Sequence, residues 1–540
     1  MITKGNCNVR VLTLALITLS LAMPVWTEGL SHGIHGLWGP RYNAAPQLIV
    51  VPRHPPRHGA DPIARLHHWN QFAVDTSGLD HMPVAAGERR VFGEQFGPGR
   101  ASRAMAIVHI AIFEAVNAIA GSYESYTGLS FAGHSASMDA AIAQAAHDTL
   151  VALFPSQKAS CDAQLADDLS QIPDGHAKTR GIQIGQQAAA GILDLRANDG
   201  SQHPEPRVGI EFHTGDEPGE WRQDPISLIP LALGAYWGQV KPFFLKSAKQ
   251  FRVPRPPLLK SPEYAVAFNE VKQLGGDGIV TPTMRTAEQT EIGIYWGYDG
   301  TPSLCAPPRL YNQIAVQIAD QMGSNVVELA RLLALLNVAL ADAGIAIWES
   351  KYHHDYWRPI TAIREADAGT GPTGKGDGNP VTLGDPTFSP LGAPASNLTG
   401  PNFTPPFPGY PSGHAGFGGA LFQILRRFYG TDNIPFTFVS DEFNGVTRDN
   451  EGNVRPLLPR TFSSLSEAEE ENGQSRIYLG IHWAFDKTEG IAQGRRVANY
   501  VFEHAFVPQH RRVKTRWAPR SAVKPRSQFA NAAAAPLRVL

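Results

Sequence analysis

The sequence predicts an all-α protein, and three observations carry that prediction. Apolar residues recur at spacings of three and four in segment after segment from Ile63 onward. Alternating strand patterns are scarce. Glycine and proline, 52 and 43 of 540 residues, are too many for helix interiors and belong in long ordered connections. A chain of this length can bury a large core and divide into roughly two to four domains.

Taken in order, residues 1–28 read as a secretory signal. Lys4 and Arg10 supply positive charge, and the apolar run at 11–23 is too short to span a bilayer. This predicts a secreted or periplasmic protein, although Met23-Pro24-Val25-Trp26 is not a clean cleavage pattern and an uncleaved anchor is the other reading. Residues 29–61 carry Pro, Gly and four histidines (His32, His35, His54, His58) without helical periodicity or acidic companions. They predict a flexible leader rather than a metal-binding arm.

Helical periodicity then builds. At 103–120 it rests on Met105, Val108, Ile112, Val116 and Ile119, and it returns at 140–154 and 182–195. Residues 200–260, with Trp221, Trp237 and many prolines, predict a long irregular connection. Further helices are expected at 263–274, 286–296 and 311–322. Residues 326–349 are apolar on one broad face and predict a central buried helix. Another amphipathic helix at 415–428 rests on Phe417, Leu421, Ile424 and Leu425. Residues 508–540 predict a disordered tail: from Arg511 onward there are eight basic residues and no acid.

Composition excludes several functions. With 47 Lys and Arg against 49 Asp and Glu, there is no broad basic surface for nucleic acid. No segment after the leader has 18 uninterrupted apolar residues, so no membrane span is expected in the mature chain. Cys7 lies in the signal, leaving Cys161 and Cys305 as one disulfide or two buried thiols. Nothing in the sequence reports oligomeric state.

Three short motifs carry the chemistry. Lys351 is followed by Arg358-Pro359, then comes Pro411-Ser412-Gly413-His414, and finally Ser475-Arg476 leads to His482 and Asp486. Alone, each has an ordinary explanation: a solvated ion pair, a capping serine beside an incidental histidine, a core histidine satisfied by an acid. In this order they gather three cations and two histidines around one tetrahedral oxyanion. Seven residues separate Lys351 from Arg358, which on one helix puts both on the same face, with Pro359 ending the element. Ser412 and Gly413 precede a helix, whose free N–H groups and dipole favour an anion. Arg476 and His482 cannot share a helical face, and Gly480 offers the break that brings them together. Asp486, one turn beyond His482, can take the Nδ1 proton and leave Nε2 free.

This triplet resembles the vanadium-dependent haloperoxidases and their relatives, the type 2 phosphatidic acid phosphatases and bacterial acid phosphatases. Longer stretches resemble the chloroperoxidase branch: Tyr298-Asp299-Gly300, Pro307 through Gln313, Leu391-Gly392-Ala393-Pro394, and Pro405-Pro406-Phe407-Pro408-Gly409-Tyr410. The similarity spans about residues 62–507. It implies two packed four-helix bundles, at 62–284 and 285–507, with the oxyanion site in the second. It also implies vanadate as cofactor, held by His482 as the single protein ligand to the metal. Lys351, Arg358, Arg476, Ser412 and Gly413 would neutralise the vanadate oxygens, with His414 as acid–base group. Asp299 would pair with an arginine, Arg476 being the expected one. Trp348 and Phe407 match halide-pocket positions, though as apolar residues they fit a core equally well; phenylalanine at 407 leans toward chloride.

The implied substrates are hydrogen peroxide, a halide and an organic acceptor. A secreted acid phosphatase is the alternative, with His482 as nucleophile through a phosphohistidine and His414 as general acid. A binding protein without turnover is the third reading, and the acid–base histidines argue against it.

Overall fold

The computed structural model describes residues 33–44, 61–85 and 87–509. The signal, most of the leader and nearly all of the basic tail lie outside the described residues. Fourteen α-helices order the described chain. They are α1 (Gly33–Trp38), α2 (Pro62–Asp80), α3 (Gly97–Ala120), α4 (Met138–Leu153), α5 (Lys158–Ser170), α6 (His176–Arg196) and α7 (Pro262–Leu274). After these come α8 (Ala287–Tyr295), α9 (Pro308–Gln321), α10 (Val326–His354), α11 (Pro359–Arg364), α12 (Gly413–Tyr429), α13 (Leu465–Tyr478) and α14 (Ala484–His504).

The helices form two bundles. In the first, α4 packs on α2, α3 and α6; in the second, α12 packs on α10, α13 and α14. The seam between the bundles is α3 against α10, two long apolar helices. Both are long and apolar enough to cross a membrane, yet 94% of each apolar window is buried within the protein. Helix α10 begins at Asn325, whose side chain caps two backbone N–H groups while Glu328 caps in return. Helix α7, expected in the first half, packs instead against α11 and α13. The connection through 200–260 is irregular as expected. It is pinned to α10 by Asp342, whose carboxylate accepts the backbone N–H groups of Phe243, Phe244 and Leu245.

One close approach positions the site. A Cβ added to Gly494 on α14 would collide with Gly416 O on α12, and one on Gly419 would lie 2.5 Å from Ile491 O. These two helices therefore touch backbone to backbone, which brings the start of α12 beside the first turn of α14. Ser412 N donates to Asp486 O at 2.9 Å across this junction.

Three features differ from the sequence expectation. Strands β1 (Asn43–Ala44) and β2 (Leu398–Thr399) pair antiparallel, and Trp38 and Tyr42 are buried. Residues 33–44 are thus packed, not a flexible leader: Leu37, Trp38 and Tyr42 anchor them without any helical period. Second, β3 (Phe436–Asn444) and β4 (Leu457–Phe462) form a hairpin. Its alternation is real, Phe436 and Phe438 in and Thr437 and Val439 out, but an exposed valine disguises it. Third, α5 forms where the sequence shows no apolar stripe; the helix is largely polar, and only its Cys161 and Asp168 are buried. Cys161 and Cys305 are both buried and are not joined in a disulfide.

Candidate active site

Lys351 lies in the last turn of α10. The helix ends at Asp355, a left-handed residue (φ 48°) whose N–H donates to Lys351 O at 2.8 Å. The chain turns there, and Arg358 becomes the N-cap of α11 with Pro359 at its first position. The two cations therefore do not share one helical face, contrary to the spacing argument; a turn brings them together. Both tie down the loop before α12. Lys351 Nζ donates to Pro408 O (2.8 Å) and Gly409 O (2.9 Å). Arg358 Nε donates to Phe407 O (2.9 Å), and its Nη1 to Ile481 O (2.8 Å). Arg476, in the last turn of α13, donates to Asp299 at 2.9 Å and to Trp296 O at 3.2 Å.

Ser412 caps α12, its Oγ accepting from Ala415 N at 3.4 Å, so Gly413 and His414 occupy the first turn. A Cβ on Gly413 would sit 3.1 Å from the Trp348 ring and 3.6 Å from Lys351 Cε, filling space in front of the ammonium group. Gly480 (φ 73°) breaks the chain after α13, as its position suggested. His482 follows, with Nδ1 2.7 Å from Asp486 Oδ2 and Nε2 2.9 Å from Arg358 Nη1. A carboxylate on one nitrogen and a guanidinium donor on the other fix the tautomer: Nδ1 carries the proton and Nε2 presents its lone pair.

The electrostatics are those of a site short of negative charge. Burial, then Arg358, holds the Lys351 amine well below its ordinary range. Burial also brings Arg358 down to about 10. His414 is pushed well below the usual histidine range by burial and then by Arg476. His482 is lowered likewise, by burial and then Arg358, Lys351 and Arg476. Asp486 is raised to about 7 by burial, with Lys351 opposing. Desolvated charges without counterions are costly, and an anion among these groups would relieve the lysine, the arginine and the two histidines.

Unused donors point the same way. Arg358 Nη2 and both ring nitrogens of His414 are buried without a well-formed hydrogen-bond partner, although the Asn472 carboxamide lies close enough to His414 to act on its titration. Among the described residues no three His, Cys, Asp or Glu side chains converge as a metal cage. The donor set fits an oxyanion, including a metal oxyanion, better than a bare cation. Vanadate fits: cations and N–H groups for its oxygens, and one imidazole lone pair for the metal.

A cleft opens onto His414, Arg476 and His482. Trp348 and Phe407 both line it, with ring centroids 5.0 Å apart. Trp348 is fixed by its indole N–H to Leu233 O at 3.0 Å. The Phe407 ring lies 5.1 Å from Lys351 Nζ and 5.0 Å from Arg358 Cζ. Two participants escaped sequence reasoning. Tyr311 holds the start of α12 by donating to His414 O at 2.9 Å, and Asn472 on α13 lies beside the same turn. Tyr311 lies within the family-like stretch Pro307 through Gln313 but was assigned no role there, and Asn472 sits in no motif.

Fold and site together define a helical-bundle protein that gathers buried cations and two histidines at one cleft, a donor set that fits a tetrahedral oxyanion. The VCPO second helical-bundle domain matches residues 331–510. Vanadium chloroperoxidase of Curvularia inaequalis is 33% identical over 502 residues, covering 77% of this chain and 78% of that protein. The chain belongs to the vanadium-dependent haloperoxidase family. Its fold is shared with a bacterial vanadium-dependent iodoperoxidase, at a TM-score of 0.62 and 23% identity over 82% of this chain and 96% of that one. A bacterial vanadium-dependent chloroperoxidase in its holo form superposes at a TM-score of 0.53 and 17% identity, over 75% and 92%.

Proposed function

We propose that this chain oxidises chloride or bromide with hydrogen peroxide to hypohalous acid, which halogenates organic acceptors. The net reaction consumes one peroxide, one halide and one proton, and yields hypohalous acid and water. Bound vanadate supplies a Lewis-acidic centre that polarises peroxide without changing oxidation state. His482 Nε2 would hold the metal, with Asp486 keeping the proton on Nδ1. Lys351, Arg358 and Arg476, with Ser412 and the Gly413 N–H, would hold the oxygens. Asp299 positions Arg476. His414, buried and without a firm partner, would take the proton from incoming peroxide. Trp348 and Phe407 exclude water from the side on which halide approaches. We also propose export, on the strength of the signal-like residues 1–28.

The observation that carries this reading is the buried cation pair Lys351 and Arg358, neither in a direct ion pair, beside the His482 Nε2 lone pair, which accepts only from Arg358 Nη1. The same lone pair would suit a phosphohistidine, so acid phosphatase remains the second reading. One experiment separates them. Purified apoprotein is incubated with vanadate, peroxide and chloride or bromide while halogenation of a diketone is followed, and hydrolysis of a phosphate monoester is assayed in parallel. Vanadate-dependent halogenation is expected. Phosphate hydrolysis without halogenation would overturn the proposal in favour of the phosphatase.

A further inference from the structure

Trp348 on α10 and Phe407 on the loop before α12 belong to different elements, yet one residue ties both in place. Leu233 N donates to Pro406 O at 3.0 Å, beside Phe407. Leu233 O accepts the Trp348 indole N–H and the Tyr352 hydroxyl, each at 3.0 Å. The peptide that carries this carbonyl also carries the Gly234 N–H, which donates to Glu205 Oε2 at 2.5 Å. A trans peptide is planar, with its N–H and C=O pointing opposite ways. The carboxylate that holds the N–H therefore aims the carbonyl at Trp348. A charged acceptor also polarises the peptide and strengthens its oxygen as an acceptor.

The turn and the indole are fitted closely to one another. Gly234 has φ 76°, and a Cβ there would lie 2.3 Å from the Trp348 ring. Glu205 is itself fixed: its side chain is 7% exposed and pairs with Arg100, in the first turn of α3. The Arg100 guanidinium also donates to His203 O and lies 5.3 Å from the Trp237 ring. Pairing with Arg100 accounts for one Glu205 oxygen as a staple onto the first bundle. The other oxygen, given to the Gly234 N–H, does not belong to that staple. Arg100 also offsets the carboxylate's charge, which unpaired would repel a halide approaching the far side of Trp348.

We propose that Glu205 is a positioning residue for the halide wall. Through the Leu233–Gly234 peptide it sets where Trp348 and the Phe407 loop stand, and so tunes the KM for halide. It touches neither halide, peroxide nor the oxyanion. The proposal rests on the haloperoxidase reading for its substrate.

Glu205→Ala removes the acceptor. In vanadate-loaded protein it should raise the bromide KM about three- to tenfold, in line with the loss of one hydrogen bond. The peroxide KM, kcat and vanadium retention on gel filtration should stay at wild-type values, a split that a general loss of stability would not produce. Glu205→Gln keeps one oxygen for the Gly234 N–H while Arg100 retains His203 O, and should recover most of the bromide KM. Arg100→Met with Glu205→Ala removes the pair together, leaves no unpaired buried charge, and serves if Glu205→Ala does not fold. The setting of Trp348 is read without turnover from the fluorine NMR spectrum of protein labelled with fluorotryptophan, its resonance assigned by its loss in Trp348→Phe. That resonance should shift in Glu205→Ala and return toward wild type in Glu205→Gln. An unmoved resonance, bromide and peroxide KM values that rise together, or a glutamine variant no better than alanine overturns the proposal. A shifted resonance in a protein whose wild type oxidises no halide would instead defeat the haloperoxidase reading while supporting the hold of Glu205 on Trp348.

Discussion

The two bundles both bury clustered cations, and they treat them differently. In the first, Arg103 on α3 and Arg196 on α6 share Asp199, each at 2.7 Å from its Oδ2. Burial alone would raise that carboxyl, but Arg103 and then Arg196 hold it below its ordinary range. Each of the two guanidinium groups is in direct contact with a carboxylate, although Arg196 Nε has no hydrogen-bond partner. In the second, Arg476 has Asp299 and His482 has Asp486. Among the described residues, Lys351 and Arg358 are bonded to carbonyl oxygens and a histidine nitrogen and face aromatic rings, and Asp486 acts on both of them without forming a direct ion pair. The fold can evidently supply an acid to a buried cation. Where it withholds a direct one, the proposed function assigns the counter-charge to a bound anion.

The largest effect should come from removing the group proposed to hold the metal in the second cluster. His482→Ala is expected to abolish halide oxidation and vanadium retention on gel filtration, leaving a folded protein. A variant that keeps stoichiometric vanadium and full activity would remove His482 from its assigned role.

The comparison itself can be broken by stability measurements in phosphate-free buffer. Asp199→Asn creates in the first bundle the deficit that the second already has, and should cost about 3–5 kcal/mol because two buried guanidinium groups lose their counterion. Lys351→Met removes an unneutralised charge and should leave unfolding unchanged or shift it upward, while abolishing the thermal stabilisation that millimolar phosphate gives the wild type. Equal destabilisation by both substitutions would mean that the Lys351 charge is already compensated in the ligand-free fold.

Proton linkage sharpens the picture. Burial and Arg476 keep the ligand-free His414 neutral at physiological pH. An oxyanion beside it favours the imidazolium, so binding raises its pKa and takes up a proton. By linkage, anion affinity then increases as pH falls. Calorimetry of phosphate binding in buffers of different ionisation enthalpy should record up to about one proton more for wild type than for His414→Gln. Phosphate's own titration is common to both proteins and cancels in the difference. Identical uptake would place the proton elsewhere.

Much of this site was legible because its chemistry needs residue types that ordinary helices do not place together. Lys351, Arg358, Ser412, Gly413, His414, Arg476, His482 and Asp486 stand close to the anion space that the motifs implied, and the break at Gly480 followed from glycine beside an impossible helical spacing. The turn at Asp355 was not legible. Its left-handed conformation is supported from outside the local sequence, since Asp355 O accepts the Trp221 N–H at 2.9 Å. The packed segment 33–44 was hidden for the same reason. Its partners, Leu398 and Thr399 in β2 and Pro401, lie far along the chain, and composition alone reads as a leader. Local pattern found the cations; long-range pairing decides what surrounds them.

The smallest expected effect concerns the aromatic faces that stand in for the absent acids. Phe407 presents its ring to both unneutralised cations and stacks obliquely on Trp348 at 60°. A phenyl face is worth about 0.5–1 kcal/mol to a cation, more where water is excluded. It offers this without a hydrogen bond that would draw the ammonium or guanidinium away from an oxyanion. Phe407→His would replace it with a polar ring beside two cations, where protonation is disfavoured. The neutral imidazole has a lone pair that can accept from Lys351 or Arg358, and so competes with the bound anion for their donors. Oxidising chloride takes a more polarised oxygen than oxidising bromide, so chlorination should suffer more. A change of about two- to fivefold in the ratio of chlorination to bromination is expected, in line with 0.5–1 kcal/mol. Both rates measured across pH in wild type and variant decide it. Equal loss of the two activities would show that the ring serves packing alone, and that the cations are poised for their anion without help from the aromatic wall.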